Sequence, residues 1–85
     1  MKTFEYVVKD ELGLHARPAG LLVKKAGAFA SKVMLSKDGK SADAKRIMAV
    51  MALGVKQGNT ITVSIEGDDE ETAASEIETF LNENL

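Results

Sequence analysis

Cysteine and tryptophan are absent from this 85-residue chain, and histidine, proline and tyrosine each occur once. Without cysteine there is no disulfide framework and no thiol nucleophile, a composition that suits the cytoplasm. A single histidine with no cysteine also removes the usual zinc ligand sets, so no metal site is expected. A serine triad fails as well, because the lone histidine would have to serve as base without a Gly-x-Ser-x-Gly turn. No apolar run approaches membrane-spanning length, and Met1 to Glu5 lacks the apolar core of a signal peptide, so neither membrane insertion nor export is expected. Strong charge of one sign is missing too. The formal net charge is −2, with lysine and arginine mixed among acids except at the acidic C-terminal end, which argues against a nucleic-acid partner. A chain of this length is expected to form one domain over residues 1–85, with a modest core and no deep substrate cavity.

What is present converges on Leu12-Gly13-Leu14-His15-Ala16-Arg17-Pro18, which holds both the only histidine and the only proline. Pro18 lacks an N–H and has a fixed φ, so it belongs in the first turn of a helix. His15 is therefore expected at or just before that helix start, on a turn that Gly13 permits. The unpaired N–H groups there disfavour a positive charge on the ring and leave it nucleophilic. Together with Arg17 they would also stabilise a dianionic phosphate attached to it. Free nucleophile and phosphorylated product are both favoured, as a phosphoryl relay requires. The plainer alternative is a polar residue that merely bonds a helix-end group.

The remaining chain reads as short alternating elements. Phe4, Tyr6 and Val8 alternate with Thr3, Glu5 and Val7 as a half-buried first strand. After Pro18, Ala19, Leu22, Val23 and Ala26 form one apolar stripe, which leaves Leu21, Lys24 and Lys25 off it. Gly20 costs about 0.5–1 kcal/mol against alanine in a helix interior, and nothing in the sequence explains it. Gly27 is the expected stop. Lys32 to Lys37 and Lys40 to Asp43 flank Asp38-Gly39, a strong hairpin signal because both residues tolerate positive φ. Thr60 to Glu66 places Ile61, Val63 and Ile65 on one face and hydroxyl residues on the other, so the sheet is expected to be covered on one side only. Asp69, Glu70 and Glu71 begin a final helix whose buried stripe is Ala73, Ile77, Phe80 and Leu81. Four strands with three helices segregated on one face make an α+β open-faced β-sandwich.

Ile47 to Leu53 is apolar throughout and is followed by Gly54. A small one-sided domain cannot easily surround such a helix. Ala49, Val50 and Leu53 suffice as its packing face, leaving Ile47, Met48 and Met51 as surplus apolar surface. The alternative is that this surplus packs beneath a loop.

Leu14-His15-Ala16-Arg17-Pro18 resembles the active-site signature of HPr, the histidine-containing phosphocarrier family of the bacterial phosphoenolpyruvate-dependent sugar phosphotransferase system. The similarity extends to Asp38-Gly39, Lys40-Ser41-Ala42, Ile47 to Met51, Leu53-Gly54 and Gln57-Gly58. The resemblance implies the order β-α-β-β-α-β-α and a four-stranded antiparallel sheet. It implies that His15 accepts a phosphoryl group on Nδ1 from enzyme I and passes it to an enzyme IIA component. Ala16 and Arg17 would stabilise the phosphate, and Leu21, Ile47, Met48 and Met51 would form the partner-docking surface. The protein would act as a monomeric carrier, not an enzyme, with no metal and no cofactor. One departure is Arg46, which stands where many members of the family carry a regulatory serine. Ser41, the nearest serine, falls in the hairpin and is a poor substitute. Two other functions stay open: an HPr-like regulatory protein that binds kinases or transcription factors, and a stand-alone histidine phosphatase, which the expected lack of a deep pocket and of a second acid–base group disfavours.

Overall fold

A computed structural model describes all 85 residues, Met1 to Leu85. The elements run β1 (Lys2–Val7), α1 (Ala16–Gly27), β2 (Lys32–Lys37), β3 (Lys40–Asp43), α2 (Ile47–Ala52), β4 (Thr60–Glu66) and α3 (Glu70–Asn84). The four strands make one antiparallel sheet in the order β1-β4-β2-β3. This is the expected α+β open-faced β-sandwich.

Register explains which face is buried. Phe4 and Tyr6 lie opposite Val63 and Ile61, while Val33 and Leu35 lie opposite Ile65 and Val63 from the other side. These side chains meet Ala19, Leu22, Ala26, Ala73, Ile77 and Leu81 from α1 and α3 in one core. The reverse face carries the row Ser41, Ser36, Thr62 and Glu5 across all four strands, polar residues that keep it wet. The Tyr6 hydroxyl is the one buried side-chain polar atom without a partner, and burial pushes its phenol pKa up. No helix is long and apolar enough to cross a membrane.

Several details depart from expectation. Val8 is buried but lies just beyond β1, its N–H donating to the Asn59 carbonyl at 2.9 Å. Phe80 and Val23 are only half-buried, being at the rims of their helical stripes. Gly27 ends α1 without a left-handed turn; instead the Ala28 N–H donates to the Lys25 carbonyl and the Phe29 N–H to the Ala26 carbonyl, both at 3.2 Å, tightening the last turn. Asp69 precedes α3 but does not cap it. Its carboxylate accepts from the Ala30 N–H at 2.8 Å, the Ser31 N–H at 2.9 Å and the Ser31 hydroxyl, tying the α1–β2 loop to the start of α3. Gly20 has no structural explanation: a Cβ at that position would stand 3.7 Å from Ile47 Cδ1, an ordinary van der Waals contact that alanine would also make.

Candidate functional site

The connection from β1 to α1 is held from three directions. The Lys9 and Asp10 N–H groups donate to the Leu85 main-chain oxygen at 2.6 and 2.8 Å. Asp10 Oδ1 accepts from the Leu12 N–H at 2.8 Å, and the Gly13 N–H donates to the Asp10 carbonyl at 2.9 Å, a tight turn closed by an aspartate side chain. Gly13 has φ +68°, and a Cβ there would stand 2.5 Å from the Val55 carbonyl oxygen. Only glycine fits this approach without displacing the backbone. The next N–H, of Leu14, donates to that same Val55 oxygen at 3.1 Å, and the Leu14 side chain is buried. His15 is thus delivered by a rigid turn.

His15 occupies the N-cap of α1 with extended backbone, φ −85° and ψ −177°. Its carbonyl accepts the Ala19 N–H at 2.9 Å, which starts the helix, while its ring makes no capping bond. The Ala16 and Arg17 N–H groups have no backbone acceptor, and Pro18 has no N–H to offer. The half-buried ring therefore sits beside two free amides at the positive end of a 12-residue helix. Arg17 is exposed and enters none of the molecule's ion pairs, so its guanidinium is available to an anion at His15.

A shallow depression of about 290 Å³ surrounds this pair, lined by Asp10, His15, Arg17, Pro18, Leu21, Glu83 and Asn84. The structure places His15, Arg17 and Leu21 in the wall of one depression. Asp10, Glu83 and Asn84 escape the sequence reading. The Asp10-x-x-Gly13 turn is a local signal that could have found the first. No local pattern announces that the end of α3 reaches the start of α1.

Beside the depression lies exposed apolar surface. Leu21 is 43% exposed, Ile47 38%, Met48 77% and Met51 40%, whereas Val50 and Leu53 are buried. The surplus face of α2 is therefore open and not hidden beneath a loop. Leu12, 72% exposed, is a further exposed leucine on the turn before His15. Arg46 is the N-cap of α2, exposed, and makes no side-chain cap bond.

The family model described as the PTS HPr component phosphorylation site matches residues 2–83. The chain belongs to the HPr family of phosphocarriers of the phosphotransferase system. It is 46% identical over 83 residues to the phosphocarrier protein HPr of Lysinibacillus sphaericus, covering 98% of this chain and 94% of that relative. The crystal structure of HPr-C-His from Thermoanaerobacter tengcongensis superposes with a TM-score of 0.92 at 45% identity, over 96% of this chain and 92% of that one. Crh of Bacillus subtilis, described as a catabolite repression protein and solved as a domain-swapped dimer, gives a TM-score of 0.78 at 40% identity, over 94% and 92% of the two chains. The HPr family therefore includes both carriers and Crh-type relatives, and some of its members are dimers.

Proposed function

We propose that this chain is a phosphocarrier that takes a phosphoryl group onto His15 from phosphorylated enzyme I and passes it to an enzyme IIA component for sugar uptake. The observation that carries this reading is the pairing, beside one ring, of two unpaired helix-start amides with an unpaired arginine. That arrangement favours a dianion covalently attached to the ring. The depression is too shallow to enclose a small substrate, so the partner protein must supply the other half of each transfer site and exclude water from it. Leu21, Ile47, Met48 and Met51 supply the apolar contact for that docking, with Ala16 and Arg17 on the phosphate. The whole chain, 1–85, works as one cytoplasmic domain without cofactor. A monomer suffices, because every residue invoked comes from one chain; light scattering at working concentration tests this. Incubation with enzyme I and phosphoenolpyruvate, followed by assay for an acid-labile phosphate, tests the carrier function.

Arg46 gives the docking face a second property. A serine here would gain about −1.5 to −2 charge on phosphorylation; arginine accepts no phosphate and holds positive charge beside the apolar face. The protein is therefore expected not to be switched by an HPr serine kinase, and to favour acidic partners at this spot. Treatment with such a kinase and ATP should leave the chain unmodified, and Arg46→Asp should slow transfer from enzyme I. Stoichiometric serine phosphorylation, or unchanged transfer kinetics, would overturn the corresponding half.

The similarity to Crh favours one other reading, a regulatory module that binds kinases or transcription factors. Failure to accept phosphate, with retained binding to such a partner, would select it.

A further inference from the structure

Two helices meet at the His15 depression by opposite ends. α1 begins there with its free amides, and α3 ends there with Glu83 and Asn84 in the wall. The last turn of α3 carries no basic residue to offset its negative end. Asp10 adds a second carboxylate, held in place by its bond to the Leu12 N–H. Neither Asp10 nor Glu83 is engaged in an ion pair. Arg17 is thus the only cationic side chain in a wall that holds two uncompensated carboxylates.

A site built only to bind a phosphate would not carry these acids. We propose that Glu83, assisted by Asp10, is a positioning residue that sets the phosphoryl-transfer potential of His15. The two carboxylates oppose the dianionic phosphoryl group once it is attached, and so keep it ready to leave. This rests on the phosphocarrier reading above.

In the step itself, phosphorus leaves a ring nitrogen of the donor phosphohistidine as the His15 ring nitrogen forms its own P–N bond. The electron pair of the broken bond stays on the donor ring, and each ring keeps the proton on its other nitrogen. No proton or co-reactant is consumed. Before transfer the dianion lies on the donor; afterwards it lies between Arg17 and the two carboxylates. The acceptor ring is uncharged when its lone pair attacks and becomes cationic once phosphorylated with its proton retained. The side chain thus gains one net negative charge, and the acids oppose that charge on the phosphorylated side of the equilibrium alone. A carboxylate in the wall of the same depression, in partly screened water, changes that equilibrium by about two- to tenfold.

The test fixes the donor with enzyme I and a buffered ratio of phosphoenolpyruvate to pyruvate, then measures the phosphorylated fraction of each variant at equilibrium. Glu83→Gln should raise the equilibrium constant for phosphorylation about two- to tenfold, and Glu83→Lys should raise it further. Both gains should shrink in high salt, and Glu83→Asp should stay near the parent value. Glu71→Gln is the control, because its place in the first turn of α3 puts it about 18 Å along the helix from Glu83. A merely structural role for Glu83 would alter rates or melting temperature without a salt-dependent change in the equilibrium constant. An unchanged constant in Glu83→Gln and Glu83→Lys, or an equal shift in Glu71→Gln, overturns the proposal. If the parent chain takes no phosphate from enzyme I, the carrier reading fails first and takes this proposal with it.

Discussion

Arg17 and Lys24 lie on the same helix, yet only Arg17 shares the depression with His15. Charge at a reacting centre outweighs charge screened by water and salt several ångströms away. Arg17→Glu is therefore expected to slow phosphoryl transfer to His15 by about a hundredfold or more, the scale of losing one transition-state partner. Lys24→Glu should change it by no more than about threefold, the scale of a screened surface charge. Rapid-quench measurement with enzyme I checks both, and equal effects would reduce Arg17 to a steering charge. At this scale the sequence was most legible where chemistry is local. One histidine, one arginine and one proline within four residues announce a helix start with a nucleophile on it. Asp10 and Glu83 were not legible as neighbours, because they meet only after the sheet has brought the end of α3 back to the first loop.

The elements were legible wherever an alternation or a turn signal was complete. Asp38-Gly39 is the clearest case: both residues take positive φ, 50° and 82°, as a two-residue hairpin requires. α2 shows how far composition can lead. The seven apolar positions from Ile47 to Leu53 exceeded what a one-sided domain can bury, and the surplus is what stands exposed. Met48→Glu should weaken docking to enzyme I while leaving the melting temperature nearly unchanged, since an open methionine contributes little to the core. A large drop in melting temperature would show that this residue stabilises the fold after all. Asp69 shows the reverse. Its place before α3 suggested an acid that complements the helix dipole, whereas its donors lie in a loop distant in sequence. Bonds from the Ser31 hydroxyl and then the Ala30 N–H hold its carboxyl below the usual carboxylate range, against a smaller opposing effect of burial. A lowered folded-state pKa contributes stability above the unfolded pKa and loses it as pH falls through the folded one. Asp69→Asn should therefore melt earlier near neutral pH, and the gap should narrow below about pH 4, where aspartate in the unfolded chain takes up its proton. A gap independent of pH would mean that shape, not charge, carries the contact.

For the whole molecule, layer architecture was legible and strand order was not. Alternating strands with one polar face dictate a sheet covered on one side, but periodicity does not tell β1 to pair with β4. That order is what places α1 and α3 side by side, with the start of one and the end of the other at a single depression. Covalent carriage as proposed above depends on the fold delivering one reactive ring to the surface, with half a transfer site around it. Intact-mass analysis after incubation with enzyme I and phosphoenolpyruvate tests this most directly, read beside His15→Ala. The expected result is one phosphoryl group per chain, lost in acid, and none on a folded His15→Ala variant. An unmodified parent chain, or a phosphoryl group that persists in His15→Ala, would contradict it.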